Sequence, residues 1–272
     1  MNTNQLPTKR YRSFVLVLLT VVYGFNFIDR QIVGILAPFI QEDLDLTNTQ
    51  LGLLIGFAFA LFYTVIAIPI AWLADRYSRV NILSIALATW SGFTALTGMA
   101  SNFWQIGMAR MGVGIGEAGG SPPSHSIISD MYPKEERAGA LGFYSMGIPF
   151  GIMAAYFATA SLMGSGGDVE WRRIFIFLGI TGIVLAGIVK LTLKEPVRGA
   201  QELDGGTQIK KLPFIESLKS LLKIPAWWAM CFGIAFGSFV SYASSAFQTK
   251  FLIALDPSFD FKTMVILLGI MN

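Results

Sequence analysis

The chain has 272 residues, of which 54% are hydrophobic and only 14% charged, with 28 glycines, 22 phenylalanines and a mean hydropathy of +0.59. A soluble domain carries about 25% charged residues, so this balance excludes an ordinary globule and points to a chain whose solvent is the bilayer. The net charge of +3 says little about nucleic acid, and no nucleic-acid partner is expected; the single cysteine, Cys231, excludes a disulfide framework and a thiolate metal cluster, and no metal is expected.

A helix needs about 20 apolar residues to cross the hydrocarbon, and the chain holds a succession of such runs. The first, Phe14 to Ile40, follows Lys9, Arg10 and Arg12 and carries a charged pair, Asp29-Arg30, in its interior. No small-residue cleavage site follows it, so it reads as an uncleaved span rather than a signal peptide. The second, Leu51 to Trp72, and the third, Val80 to Met99, contain no charge. The fourth runs from Trp104 to Ile128 and contains Arg110 and Glu117, with Pro122-Pro123 set to break its helix; the fifth runs from Ala138 to Met163. Gly164-Ser165-Gly166 reads as a turn. The sixth span starts after Trp171-Arg172-Arg173 and ends near Leu193.

A polar connection follows, and within it Lys210 to Lys223 places Phe214, Ile215, Leu218, Leu221 and Leu222 at helical spacing opposite Glu216, Lys219 and Lys223. Such a helix lies on the inner membrane surface; the alternative is a solvated spacer. The seventh span is Ala226 to Leu252, and an eighth run, Met264 to Met271, reaches the end of the sequence. The expected division is an N-terminal arm over 1–12, a six-helix bundle over 13–193, a linker with its amphipathic helix over 194–223, and the start of a second bundle over 224–272. Six spans, a linker and an incomplete second set match one half, and the opening of the other, of a two-half transporter, so a fragment or truncated form of a larger protein is expected.

Lys and Arg set topology in a membrane protein. With the N-terminus inside, fourteen of the 20 fall on inner segments, four (Arg172, Arg173, Lys250, Lys262) on outer ones, and Arg30 and Arg110 within spans. The expected location is therefore the inner (plasma) membrane, multi-pass, with a cytoplasmic N-terminus. Trp72, Trp104, Trp171, Trp227 and Trp228 sit at span ends, where amphipathic rings prefer to lie.

Ionisable groups inside a membrane are costly and mark ion pathways, substrate sites or proton relays. Asp29 and Arg30 lie near the middle of the first span and Glu117 at the middle of the fourth, so the two carboxylates share a depth. Arg110 is seven residues from Glu117, about 10 Å along the same helical face, which forbids tight pairing between them. Adjacent positions do not share a face, so Asp29 and Arg30 need different partners, while Asn26 shares the face of Arg30. A carboxylate whose arginine distance changes with conformation takes up and releases protons, which is a coupling mechanism. A fixed network that only pins the helices is the alternative. Gly112, Gly116 and Gly120 have the GxxxG spacing of close helix contacts, whereas Gly114-Ile115-Gly116-Glu117-Ala118-Gly119 matches a dinucleotide fingerprint in form only, since no strand precedes it. No GxxxxGK[ST] occurs, so no cofactor is expected and an ion gradient is the energy source. A hydrolase would have to use Ser121 and the single His125, which lack an orienting third group; no catalytic residue and no enzyme activity is expected.

Ala71-Trp72-Leu73-Ala74-Asp75-Arg76-Tyr77-Ser78-Arg79 resembles the signature loop of the major facilitator superfamily, with Ala71 and Ser78 in place of its glycines. The resemblance implies a conformational latch at Asp75, Arg76 and Arg79 that breaks and re-forms in alternating access. Arg110 followed by Gly112 is similar to the second signature, associated with proton coupling, and Gly147-Ile148-Pro149-Phe150-Gly151 to the third, which bends a helix in antiporters. Asn26-Phe27-Ile28-Asp29-Arg30, Gly114 to Gly119, Ser121-Pro122-Pro123-Ser124-His125, Lys194-Glu195-Pro196-Val197-Arg198-Gly199 and Phe247-Gln248-Thr249-Lys250-Phe251 resemble the spinster branch of that superfamily.

That resemblance implies an all-α membrane protein of the major facilitator fold, its six-helix bundle built from three-plus-three inverted repeats in which spans one and four are equivalent. It implies proton-coupled transport of lysolipid or sphingolipid-like amphiphiles by a protein that is monomeric when complete. Asp29 and Glu117 would be the protonatable pair, and Arg30, Arg110 and Asn26 their partners or ligands for the substrate head. The alternatives are a drug or metabolite antiporter of the same fold, binding cations through Asp29 and Glu117, and, from another class, a membrane-embedded hydrolase.

Overall fold

The structure, a computed structural model, describes residues 7–162, 169–199, 214–256 and 260–271, and every regular element among them is helical. The first span is α1 (Lys9–Ile35) and α2 (Ala37–Asp43); the second is α3 (Asn48–Gly52), a π turn (Leu53–Phe57) and α4 (Ala58–Ala74); the third is α5 (Arg79–Thr97). The fourth is α6 (Phe103–Glu117) and α7 (Ser121–Met131), the fifth α8 (Lys134–Ser145) and α9 (Gly147–Leu162), the sixth α10 (Trp171–Thr192). Then come α11 (Phe214–Leu222), α12 (Pro225–Leu255) and α13 (Phe261–Met271). The expected span end at Met163, the turn at Gly164-Ser165-Gly166, residues 1–6 of the arm and the linker residues 200–213, where the surface helix was to begin, lie outside the described residues.

Side chains start these helices. Thr8 accepts from Tyr11 N, Ser78 from Asn81 N and Asn102 from Gln105 N, and Thr47 and Gln50 form a reciprocal capping box. Prolines interrupt them. The first, fourth and fifth spans are each two helices, because Pro38, Pro122-Pro123 and Pro149 have no N–H to return to the carbonyls of Gly34, Ala118, Gly119 and Ser145. At the fourth span the chain crosses the gap with tight bonds, Gly119 N to Gly116 O and Gly120 N to Glu117 O, both 3.0 Å. At the fifth, the hydroxyl of Ser145 turns back onto Leu141 O at 2.9 Å, which also favours a bend.

Among the described residues, five stretches are long and apolar enough to cross a bilayer: Lys9–Ile35, Asn48–Ala74, Arg79–Thr97, Lys134–Leu162 and Trp171–Thr192. Small residues mark their closest contacts. On α10 Gly179, Gly182 and Ala186 face inward beside buried Ile174, Phe175, Leu178 and Val189, while Ile180, Ile183, Val184, Ile188 and Leu191 are exposed, Leu191 at 86%. Lipid tails are as apolar as leucine, so helices associate through small residues that allow close approach and leave the bulky ones to lipid.

α1 packs on α8 and α9, α4 on α6, and α5 on both α6 and α10. In terms of spans, one meets five, two meets four, and three meets six. A two-fold that exchanges spans one to three with four to six maps the first contact onto the second and the third onto itself, as inverted repeats require. The GxxxG face of α6 lies on α5, where a methyl on Gly116 would sit 2.6 Å from Trp90 N. Trp90 itself is fully buried at the centre of the bundle.

Gly147 and Gly151 press against Gly24 of α1. A Cβ on Gly151 would come within 2.3 Å of the Gly24 carbonyl oxygen, a backbone atom that cannot swing aside. Gly151→Ala therefore forces α1 and α9 apart and is expected to destabilise the protein by about 1–3 kcal/mol. Gly142→Ala, on α8 with open space around it, is expected to be neutral or slightly stabilising. Melting temperatures of the two variants in detergent check this; equal melting would contradict the close contact.

Candidate functional site

The break after Glu117 places the site. α6 ends at Glu117, α1 carries Asp29 and Arg30 past it, and α5 supplies Thr94 from the far side. Asp29, Arg110 and Glu117 are each at most 1% exposed. Arg30 donates from Nε to Glu117 Oε2 at 2.7 Å, and Thr94 Oγ1 donates to Asp29 Oδ1 at 2.9 Å. The adjacent residues Asp29 and Arg30 thus have separate partners, while Asp29 stays close enough to Glu117 and Arg110 to feel both charges. The Asn26 side chain lies beside the Glu117 carboxylate.

Aromatic rings enclose the cations. The Arg30 guanidinium lies 5.1 Å from the Phe27 ring centre, 5.2 Å from Phe59 and 4.5 Å from Tyr63, and Arg110 lies 5.3 Å from Phe59. Ring faces partly replace water around a guanidinium without neutralising it. The hydrogen bonding of the cluster is incomplete: Asp29 Oδ2, Glu117 Oε1, Asn26 Oδ1 and Arg110 Nε and Nη1 have no partner among the described residues. Buried polar atoms are normally satisfied, so a set of donors and acceptors left open together is a place where a proton or a ligand has room to act.

A second constellation lies at the end of the bundle near the amino terminus. Arg79, 1% exposed, donates from Nε to Glu195 Oε1 at 2.7 Å, from Nη2 to Pro196 O at 2.9 Å, and from Nη1 to Ser126 Oγ at 2.8 Å and to Asp130. Ser78 Oγ and Val80 N also donate to Glu195 Oε2, at 2.8 and 3.0 Å, and Gly199 N donates to Asp130 Oδ1 at 3.0 Å. One guanidinium therefore ties the start of α5 to α7 and to the segment that leaves α10. Partial burial pushes the Glu195 carboxyl up, but the hydrogen bonds from Arg79, Val80 and Ser78, with the charge of Arg79, together hold it below the usual carboxylate range.

The other predicted residues are placed differently. Arg76 stacks on Trp72 with its guanidinium 3.8 Å from the ring centre, and the exposed Asp75 side chain has no ion pair or hydrogen bond among the described residues. Of the loop's three charged positions, only Arg79 forms ion pairs among the described residues. Gly147 and Gly151 form the contact with Gly24, and exposed Pro149 accounts for the break at Met146. His125 meets the edge of Tyr144 at 5.2 Å and has no hydrogen bond to Ser121. Thr94, Phe59 and Tyr63 carried no sequence signal, being uncharged residues in apolar runs. Glu195 and Asp130 could be found only by asking which acids return to the ends of spans four and six.

Residues 19–272 match the family described as Major Facilitator Superfamily. The chain is 30% identical over 241 residues to an MFS-type efflux pump of Mycolicibacterium smegmatis, covering 87% of this chain and 53% of that protein. It is 29% identical over 248 residues to Protein spinster homolog 1 of Xenopus tropicalis, covering 90% of this chain and 46% of that one. The crystal structure of a bacterial homologue of the human lysosomal transporter Spinster, inward-facing and unoccupied, superposes with a TM-score of 0.84 at 38% identity, covering 97% of this chain and 60% of that one. The chain belongs to the major facilitator superfamily, in its spinster branch, and is a multi-pass membrane protein. It spans about half the length of the curated relatives it matches.

Because Glu195 is held below its usual value of 4.5, the stability it supplies is complete above that pH and is lost as pH falls through the depressed value. The wild-type melting temperature is expected to hold between neutral pH and 4.5 and to fall below it. Arg79→Gln is expected to lower stability at neutral pH by about 2 kcal/mol and to flatten that acid limb. A variant that melts like wild type across the whole range would contradict the role given to Arg79.

Proposed function

We propose that the complete protein is a proton-coupled secondary active transporter that works by alternating access and carries an amphiphile with an anionic head, of the lysolipid or sphingolipid-like class. The observation that carries this reading is the state of the buried cluster: Glu117 leans on Arg30 through one oxygen, while Arg110 beside it keeps two donors unused. Two guanidiniums in a low-dielectric site suit a phosphate head, which takes several charge-assisted hydrogen bonds at once. A head group that draws Arg30 away leaves Glu117 without its cation, and a buried carboxylate in that position takes up a proton. Substrate and proton then occupy the site together, because one arginine serves either the substrate or the ionised acid.

Asp29 is the second protonatable group in this reading, hydrogen-bonded to Thr94 and within the field of the same arginines. The Arg79 constellation is the latch, holding α5, α7 and the end of α10 in one of the two states. The Lys and Arg count supports a cytoplasmic side of the inner membrane for that end and for the N-terminus. α11 supports a place on the same surface, since Ile215, Leu218, Leu221 and Leu222 are all exposed along a short helix that also carries Lys219. The likeness to Protein spinster homolog 1 supports the lipid reading; the likeness to an efflux pump supports the drug or metabolite antiporter as the second one.

The test uses the full-length protein in liposomes, recording internal pH when a lysolipid is added. Wild type is expected to move protons with the lipid, and Glu117→Gln to abolish proton movement even where lipid still binds. A flat pH trace during lipid transport by wild type would overturn the coupling. An antiporter of cationic drugs would instead fail with Asp29→Asn and tolerate Arg110→Gln.

A further inference from the structure

Among the described residues, α12 packs on the six-span bundle near its C-terminal end, where α13 lies along α9. Along α12, Met230, Phe232, Ile234, Phe236, Phe239 and Val240 are exposed, the least of them at 57%, whereas Thr249 near the other end is 1% exposed. At that same end Met264, Val265 and Leu268 of α13 pack with Ile35 and Tyr156, and Phe261 meets Phe39 edge to face at 4.9 Å. Lys250 makes a polar contact across this seam. Its Nζ donates to Gln41 Oε1 at 2.7 Å and to Asn48 Oδ1 at 2.5 Å. Gln41 is itself fixed, donating from Nε2 to Leu46 O at 2.9 Å and to Asn48 Oδ1 at 3.1 Å.

The acceptors are neutral amides. Glu42 and Asp45 line the same groove as Lys250, yet neither forms an ion pair with it among the described residues. The segment that carries Gln41 is braced to its own bundle, since Arg172 of α10 pairs with Asp43 at the end of α2 and donates to Ala100 O at 3.1 Å. Gln41 and Asn48 thus stay with the first bundle if α12 moves, and Lys250 is the member that leaves.

We propose that Lys250, Gln41 and Asn48 form a gate that closes the outer end of the transport path, and that its acceptors are uncharged so that the closed state is held weakly enough to reopen. This rests on the alternating-access reading and on the orientation given above. A contact present in only one of two states biases their populations by its own free energy and no more. A carboxylate in place of either amide would turn one of the two ion–dipole bonds into an ion pair and overweight the closed state.

The test uses the full-length protein with Cys231→Ser and a reporter, Ile35→Cys, which lies buried behind the gate against Met264 and Val265. A membrane-impermeant maleimide is applied to intact cells and, separately, to inside-out vesicles. Lys250→Met is expected to raise labelling from the outside about tenfold, the shift that follows from losing a hydrogen bond to a charged group. Asn48→Asp is expected to lower it by a similar factor and to slow transport. An outside rate unchanged in Lys250→Met, or raised in Asn48→Asp, would overturn the gate. If the same opposed changes appear only in inside-out vesicles, the gate stands and the orientation falls. Because the two variants shift labelling in opposite directions, simple misfolding cannot imitate the pair.

Discussion

A bilayer gives no water to a buried charge or to an interrupted helix, and each such group must find its partner within the protein. At the centre of the bundle Arg30 and Glu117 are therefore held by one another, Asp29 by Thr94, and the two guanidiniums by the rings of Phe27, Phe59 and Tyr63. The same constraint sets the helix surfaces. Bulky aliphatic side chains lie both on the lipid-facing surfaces and in the core, and at the closest helix contacts the backbones approach over glycines until a single methyl has no room.

Much of this was legible in the sequence, for a reason tied to scarcity. Asp29, Arg30, Arg110 and Glu117 stood out because charges in apolar runs are rare and costly, and their depth followed from counting along a helix. The separate partners of Asp29 and Arg30 followed from the helical repeat. What could not be read was which uncharged residues from other spans complete the cluster, because Thr94 and Tyr63 look like any other residue of an apolar span until the helices are packed. Arg79, Asp75 and Arg76 looked equal within one loop. Only the fold shows Glu195 and Asp130 converging on Arg79 while Arg76 turns to Trp72.

Continuity of the spans was the other part that the hydropathy pattern could not settle. An apolar run long enough to cross a membrane reads as one helix, yet the first, fourth and fifth spans are each divided. Hydropathy measures what lipid will tolerate, whereas helix continuity depends on backbone donors, and a proline removes a donor without changing the hydropathy of a run. Pro69 lies inside α4 without dividing it, so a proline alone is not sufficient. At the fourth and fifth spans proline is joined by a second proline, Pro122-Pro123, or by a serine that bonds back to its own helix, Ser145, whereas at the first span Pro38 stands without either.

The break in the fourth span joins the two constellations. Glu117 is the last residue of α6, and Ser126 and Asp130, which hold Arg79, lie on α7 a few residues beyond it. Between them, the N–H groups of Gly119 and Gly120 make only i→i−3 bonds and the carbonyls of Ala118 and Gly119 face prolines that have no N–H, so fewer regular bonds oppose a bend of α7 against α6 at this point. Trp90 of α5 packs against Gly116 and Gly120 on the two sides of this joint. α5 also begins at Arg79 and carries Thr94, the partner of Asp29. One helix thus touches the Arg79 network, the break in the fourth span and the buried acids. Under the alternating-access reading proposed above, a shift at the Arg79 end would have a continuous path along α5 to Asp29 and a broken one through α7 to Glu117, which would give the two carboxylates different responses to a single motion.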